Sequence, residues 1–116
     1  MSSGLQPIPI MFWQSVAGRE PVRLFLQELA KKDRKSIGDD VRRLQFGWPI
    51  GMPLVRKMRE EIWELRSTLP SKREARILFA TDGKLIVLLH AFIKKTQKTP
   101  KLELAIAQQK LKDIAS

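Results

Sequence analysis

The spacing of apolar residues changes near residue 50, and this change constrains the fold more than any other feature of the chain. From Val22 to Trp48, apolar side chains recur every three or four residues, as on one face of an amphipathic helix. From Ile62 onward, a strand pattern with alternating apolar and polar side chains replaces that spacing. The chain must therefore combine helices with a sheet. Four residues between the two patterns interrupt regular structure: Gly47, Pro49, Gly51 and Pro53.

The first half of the chain predicts an edge strand and two helices. Ile8–Trp13 has a strand pattern, in which Pro9 suits an edge strand or a strand start. Pro21 is well placed near a helix N-terminus, and the helix is expected to fray in Lys31–Lys32. A second helix follows, and the pair predicts an αα-hairpin. The apolar stripe of the second helix consists of Ile37, Val41, Leu44 and Trp48.

The second half predicts three strands. Ile62–Arg66 forms one strand and Ala75–Ala80 the next. Asp82–Gly83 is a strong hairpin turn, and it leads into a strand over Lys84–Phe92. Because this last strand is apolar on both faces, we expect it to be central and covered on both sides.

A C-terminal helix completes the pattern. Thr99 can cap it, Pro100 suits its first position, and Glu103 is favourable in its first turn. Its buried stripe is predicted to consist of Leu104, Ala107, Leu111 and Ile114. The order β-α-α-β-β-β-α predicts a small α+β domain: a mainly antiparallel four-stranded sheet with the αα-hairpin on one face and a C-terminal helix. We expect residues 1–7 to be a flexible tail and residues 8–116 to form a single domain.

Composition excludes several classes of function. The chain has no cysteine, which excludes disulfide frameworks and thiolate nucleophiles, and its one histidine, His90, excludes multi-histidine metal sites. It has no glycine-rich phosphate loop and no closely spaced acidic pair that suggests a metal site, so we expect no metal and no other cofactor. The longest apolar stretch is too short to span a membrane, and the N-terminus lacks the regions of a signal peptide. We therefore expect a cytoplasmic protein.

The charge of the chain indicates a polyanionic partner. The 22 lysines and arginines outnumber the 12 acidic residues, for a formal net charge of +10 in 116 residues. The excess is concentrated in residues 51–100. Fields of this strength attract nucleic acids and ribonucleoprotein surfaces. The alternative interpretations are an acidic protein partner and a basic surface that is merely solvated.

A set of cations at the strand ends could act on a phosphate. Arg66 and Arg76 have the parity to share the sheet face opposite Trp63, and they lie close together if their strands pair. The last strand runs into a lysine-rich segment that begins with Lys94 and Lys95. Fixed cations stabilise the charge that builds on phosphate oxygens, and RNA supplies its own nucleophile, the 2′-hydroxyl. A lysine beside other cations could also act as a base.

Each of these residues also has a purely structural interpretation. The two arginines could be ordinary charges on a solvated sheet face, and the lysines could form a solvated loop. His90 lies in an apolar strand, where a packed core histidine is the usual case and catalysis is the alternative. Glu64 lies on the polar face of its strand, where it either pairs with an arginine or serves as a base. Spacing alone leaves these alternatives open.

Four blocks of sequence carry a family resemblance: Gly51–Met58, Trp63–Arg66, Arg76–Phe79 and Leu88–Pro100. The last block is the most specific, and Trp63–Arg66 is next. Together they resemble the phage-derived, HigB-like branch of the RelE/ParE toxin superfamily. The resemblance runs from about residue 8 to residue 114, and the order of elements agrees with the one predicted above.

The resemblance implies a RelE-like fold and the toxin of a type II toxin–antitoxin pair. Toxins of the RelE and HigB kind are mRNA interferases, endoribonucleases that cut mRNA at the ribosome by 2′-hydroxyl attack without a metal. The resemblance also implies a helix-turn-helix antitoxin of the HigA kind as partner, together with mRNA and the ribosome. The ParE side of the superfamily inhibits gyrase and is not a nuclease. A non-enzymatic toxin and an inert antitoxin-binding relic are therefore the alternatives.

The resemblance also implies site residues by their position in the motifs. Arg76 matches the phosphate-stabilising arginine of the family, so Arg76→Ala is expected to abolish toxicity and leave the fold intact. The implied catalytic set is Arg66, Arg76, Lys94 and Lys95. Many relatives place a tyrosine or histidine near the C-terminus, but this chain has no tyrosine, so a lysine, Glu64 or His90 would act as acid or base. The flanking RNA contacts are expected to be Lys57, Lys98 and Lys101.

Overall fold

A computed structural model describes residues 6–115 of the chain and shows an α+β fold with one five-stranded sheet. The predicted tail, residues 1–7, lies outside the described residues except at residues 6 and 7. The elements in chain order are β1 (Ile10–Phe12), α1 (Pro21–Gln27), α2 (Lys31–Gly47), β2 (Val55–Arg59), β3 (Ile62–Thr68), β4 (Glu74–Thr81), β5 (Ile86–Ile93) and α3 (Lys101–Ala115).

The sheet is the middle layer between helices on its two faces. Its strand order is β1-β5-β4-β3-β2, with β1 parallel to β5 and all other neighbours antiparallel. One apolar cluster joins Leu65 and Ile77 of the sheet to Val41 of α2. A second cluster, on the opposite face, joins Leu78 to Leu104 of α3. The α+β class is therefore confirmed, with the N-terminal helices on one face and the C-terminal helix on the other.

Two strand predictions are confirmed. The first four residues of β5 are fully buried, and the strand lies between β4 and β1, as its apolar sequence indicated. The predicted edge strand is β1, which begins directly after Pro9. A proline suits this place because it has no N–H to donate, while its carbonyl still accepts a hydrogen bond from the N–H of Ile86 at 2.9 Å.

The predicted hairpin between β4 and β5 is also present. Gly83 has a φ of +90°, in the left-handed region that favours glycine. The carboxylate of Asp82 accepts hydrogen bonds from the N–H of Lys84 at 2.8 Å and of Leu85 at 3.1 Å. These two N–H groups hold the pKa of Asp82 below its usual value.

The predicted strand count of four was wrong, because β2 is a fifth strand. Three of its five residues are cations, and only Val55 is fully buried. Its register with β3 shifts between Lys57 and Arg59, so the side chains do not alternate regularly along it. A strand with this interruption lacks the period-two signal on which the prediction depended.

The boundary between the first two helices also differs from the prediction. Lys31 and Lys32 open α2, whereas they were expected to end α1. Ala30, at the N-cap of α2, makes no side-chain cap, and the connection contains neither glycine nor proline. At the other end of the chain, Ile114 is 44% exposed and so does not extend the buried stripe of α3.

The two glycines Gly38 and Gly83 give matched tests of this structure. Gly38 lies in the interior of α2, where an added Cβ would meet no atom within 4 Å. Since glycine costs a helix interior about 0.5–1 kcal/mol relative to alanine, Gly38→Ala should raise the free energy of unfolding by that amount. Gly83→Ala should lower it, because alanine is strained at a φ of +90°. Urea denaturation measures both, and a Gly83→Ala variant as stable as the wild type would contradict the assigned turn.

Candidate functional site

Three rows of side chains cross the sheet on the face that α3 covers. Residues directly opposite each other on neighbouring strands share a face and lie about 5 Å apart. The first row is Arg56, Glu64, Leu78 and His90. The second row is Arg66, Arg76 and Phe92. The third row is Thr68 and Glu74, with the N–H of Lys94 donating to the Glu74 carbonyl at 2.7 Å.

The predicted proximity of Arg66 and Arg76 is confirmed, because the two residues are direct partners in the register of β3 and β4. They lie on the sheet face opposite to Trp63, as their parity predicted. Trp63 packs against the apolar cluster between the sheet and α2. We call the five residues Glu64, Arg66, Glu74, Arg76 and Thr99 the charged cluster.

Glu64 is the buried centre of the charged cluster. Its side chain is 2% exposed, and its Oε1 lies 3.8 Å from Nε of Arg76 and 3.9 Å from Nε of Arg66. Its Oε2 accepts a hydrogen bond from the hydroxyl of Thr99. A buried carboxylate without such partners is strongly destabilising. The two arginines and Thr99 therefore compensate the burial of Glu64.

Thr99 connects the segment after β5 to β3. Thr99 was expected to cap α3; its hydroxyl donates to Glu64, and α3 begins two residues later at Lys101. Since β4 lies between β5 and β3, this hydrogen bond draws the segment 94–100 across the sheet. The segment that carries Lys94, Lys95 and Lys98 is thereby attached to the charged cluster at Thr99.

The two arginines differ in their access to solvent. Arg76 is 3% exposed, and its Nη1 donates to Glu74 Oε1 at 3.2 Å and to the Ala75 carbonyl at 3.0 Å. The Arg66 side chain is 26% exposed, and its buried Nε has no hydrogen-bond partner among the described residues. Its Nη1 contacts the Met52 sulfur at 3.3 Å, which is a weak acceptor. Arg66 therefore keeps unused donors, whereas Arg76 is committed to the protein.

Glu74 connects the charged cluster to the lysine-rich segment. Burial alone would raise its pKa, but hydrogen bonds from Thr68 and Arg76, with the charges of Arg76 and Lys94, hold the pKa of Glu74 below its usual range. The carboxylate is thus ionised at neutral pH. Lys94 lies beside the cluster, because its backbone N–H donates to the Glu74 carbonyl at 2.7 Å.

The other predicted lysines are not all on this surface. Lys95 lines a groove beside the cluster together with Phe92 and Glu103. Lys98 and Lys101 are exposed on the segment before α3 and at its start. Lys57 lies elsewhere: its Nζ is 5.3 Å from the centre of the Trp63 ring, on the sheet face under α2. The structure therefore does not bring Lys57 to the charged cluster.

His90 forms a close pair with a residue of α3. Its Nε2 lies 2.6 Å from Oε1 of Glu103, and the two side chains are 16% and 24% exposed. Its ring stacks against Phe92 with 5.9 Å between centroids. An imidazole and a carboxylate in this geometry can accept a proton and return it.

The sequence analysis missed four residues of this surface. Glu74 could have been found, because the period-two rule places it beside Arg76 on β4. Arg56 was missed because β2 was not recognised. Glu103 and Thr99 meet their partners only in three dimensions, from 13 and 35 residues away along the chain. No local spacing indicates such pairs.

The turn between β3 and β4 is fixed to α2 by Asp33. This buried carboxylate accepts hydrogen bonds from the N–H of Ser71 at 3.1 Å and from Nη2 of Arg73 at 3.3 Å. Hydrogen bonds from Ser71 and Arg73 lower the pKa of Asp33, although burial opposes them. Arg73 also lines the groove that contains Lys95. Asp33 thus positions one further cation of the site from the opposite layer.

Comparison with known proteins identifies the family. A family model described as Phage derived protein Gp49-like (DUF891) matches residues 24–112, which include the whole charged cluster. The chain belongs to this Gp49-like family. It is a phage-derived family associated with toxin–antitoxin systems. A search of curated proteins finds no match to this Gp49-like chain.

The described part of the chain contains neither a metal-binding group of side chains nor a membrane-spanning helix. Within residues 6–115, no three His, Cys, Asp or Glu side chains form a group that could hold a metal ion. In the same part of this Gp49-like chain, no helix combines the length and the apolar character that crossing a bilayer requires.

The sequence analysis expects Arg76→Ala to leave the fold intact, but Arg76 is buried beside Glu64, so we now predict that its substitution destabilises the fold. We expect Arg76→Met to lower the free energy of unfolding by about 3–5 kcal/mol, because it removes a counter-ion from the buried Glu64 carboxylate. Adding Glu64→Gln, which removes the buried charge, should restore part of the loss. Urea denaturation measures both effects. Arg42→Met, at an exposed position of α2, is the control, and an equal loss in that variant would contradict this account.

Acid should weaken the fold partly through Asp33. Its pKa in the folded state is lowered, so its contribution to stability is present above the unfolded pKa of about 3.9 and is lost as the pH falls through the folded value. As the pH is lowered below about 5, we expect the urea concentration at the unfolding midpoint of the wild type to decrease. For Asp33→Asn, we expect this midpoint to decrease less steeply with pH. Glu74 and Asp82 act in the same direction, so a residual slope remains. Identical pH profiles of the wild type and Asp33→Asn would show that Asp33 contributes nothing to the pH dependence of stability.

Proposed function

We propose that this chain is the toxin of a toxin–antitoxin pair, of the HigB-like kind, and that it cleaves mRNA at the ribosome without a metal ion. The observation that carries the proposal is the charged cluster, in which Arg66 keeps unused donors beside the lysine-rich segment. The net charge of +10 favours an RNA partner, and membership of a toxin-associated family supports a toxin.

Arg66 is the residue that we place on the scissile phosphate. Its side chain is partly exposed, and its terminal Nη groups have only the weak Met52 sulfur as a hydrogen-bond partner among the described residues. A guanidinium matches the geometry of phosphate oxygens. Lys94 and Lys95 follow β5 at the same end of the sheet and add positive charge where negative charge builds in the transition state. Arg76 is a positioning residue, since it acts on Arg66 only through Glu64.

A lysine, Glu64 and His90 are the acid/base candidates, and of the two on the strands, Glu64 and His90, we favour His90. Glu64 is enclosed by Arg66, Arg76 and Thr99, so it has no access to an RNA hydroxyl. His90 is partly exposed and is held by Glu103. In the proposed reaction it takes the 2′-hydroxyl proton as the O2′–P bond forms. It then protonates the departing 5′-oxygen as the P–O5′ bond breaks, which leaves a 2′,3′-cyclic phosphate and a 5′-hydroxyl.

The proposed partners follow from the same surface. Lys98 and Lys101 are exposed and lie one and two residues from Thr99 along the chain, so in this proposal they contact the RNA backbone on either side of the cut. Lys57 is not part of this RNA path, because it lies over Trp63 on the other face. A helix-turn-helix antitoxin of the HigA kind is the proposed protein partner, and acidic segments in it would gain association rate from the positive charge of the toxin.

Arg66→Gln tests the proposed reaction. We expect it to lower cleavage about a hundredfold, the usual effect of removing one donor to a developing negative charge. His90→Gln should also lower cleavage but leave RNA binding intact. The assay is cleavage of mRNA on purified ribosomes, combined with mapping of 5′ ends after brief induction in cells. Arg42→Gln removes the same charge from the exposed side of α2 and should cleave like the wild type.

Other outcomes of this experiment would overturn the proposal. Intact transcripts together with altered DNA supercoiling would identify a toxin that acts on gyrase. Harmless expression of the wild type would identify an inert relic. Equal losses in the Arg66 and Arg42 variants would remove Arg66 from the reaction and leave only a general effect of charge.

A further inference from the structure

An apolar groove lies on the sheet face opposite the charged cluster, between β1, α1 and α2. Several of its side chains are only half-buried, so carbon surface remains accessible there. We call it the β1–α2 groove. Its apolar lining consists of Ile10, Phe12, Leu26, Ile37, Val41 and Leu88.

The rim of the β1–α2 groove is positively charged. Of the described residues that line it, Arg23 and Arg34 are charged and none is acidic. The guanidinium of Arg23 lies 4.4 Å from the centre of the Phe12 ring, and its Nε is 2.5 Å from Glu20. Arg34 donates one hydrogen bond, to the Gln27 carbonyl at 3.3 Å. Each guanidinium has five N–H donors, so most of them are left for a ligand with carboxylates.

Gly38 opens the groove at the middle of α2. A glycine there costs about 0.5–1 kcal/mol relative to alanine, and no contact among residues 6–115 requires it. An added Cβ would meet nothing within 4 Å, and Gly38 does not have a positive φ. A missing side chain on a helix that borders an apolar groove allows the backbone of another molecule to approach closely.

We propose that the β1–α2 groove is the docking site for an amphipathic segment of the partner antitoxin. Apolar side chains of that segment fill the groove, its backbone passes Gly38, and its carboxylates pair with Arg23 and Arg34. The identity of the partner rests on the proposed function, whereas the chemistry of the segment rests on the groove. Since the groove and the charged cluster lie on opposite faces of the sheet, this segment binds without touching Arg66 or His90.

The experiment uses the full chain and, as the probe, the purified product of the reading frame next to its own. Gly38→Leu should place a side chain in the open groove, and Arg34→Glu reverses a charge at its rim. We expect each variant to bind the probe at least about tenfold more weakly in calorimetric titration. Urea denaturation confirms that each variant is folded, and RNA cleavage by Gly38→Leu should equal that of the wild type.

Two matched controls make the same chemical changes outside the groove. Ala105→Leu enlarges a small exposed residue of α3, and Arg42→Glu reverses a charge on the exposed side of α2. We expect both controls to bind the probe like the wild type. If the controls weaken binding as much as the groove variants do, the β1–α2 groove is not the docking site.

The remaining outcomes separate this inference from the proposed function. A wild type that does not bind the probe, or groove variants that bind it normally, would overturn the inference and leave the cleavage results unaffected. If the groove variants no longer bind the probe and the wild type cleaves no RNA, the docking site in the β1–α2 groove is supported and the proposed nuclease activity is overturned. Self-association of the wild type in sedimentation that Gly38→Leu abolishes would show that a second copy fills the groove, which would also overturn the inference.

Discussion

A carboxylate buried in a sheet must have its charge compensated by neighbouring cations and hydrogen-bond donors, and the groups around Glu64 meet that requirement. Two arginines reach one of its oxygens, and the hydroxyl of Thr99 reaches the other. The same contacts set the relative positions of β3, β4 and the segment before α3. The geometry of the proposed site is therefore a consequence of stabilising one buried charge. Arg76 serves that stabilisation, and Arg66 is left with donors for another molecule.

Regular side-chain patterns made much of the fold predictable. The strand β5 was recognised because apolar residues fill both of its faces, and the facing of β3 followed from simple alternation. The strand β2 was not recognised, since its register shift breaks that alternation. The start of α2 also gave no signal, because Ala30 provides no cap. Prediction failed where the structure depends on a local irregularity that tertiary contacts maintain.

Only part of the candidate site could be predicted from the sequence. Parity placed Arg66 opposite Arg76, since cross-strand neighbours follow from hairpin pairing alone. The burial of Arg76 depends on how Glu64 and Glu74 lie around it, which involves two strands at once. The pairing of His90 with a residue of α3 depends on how that helix crosses the sheet. Such relations between layers have no periodic signature in the chain.

The distribution of tryptophans has a practical consequence. Trp13 packs in the layer under α3. Trp48 and Trp63 contact each other edge to face in the layer under α2, with 5.0 Å between their ring centroids. The chain has no tyrosine, so its near-ultraviolet emission comes from these three indoles. Each side of the sheet thus carries its own intrinsic fluorophore. Single-tryptophan versions of the protein would reveal whether both helical layers detach together or one after the other during denaturation.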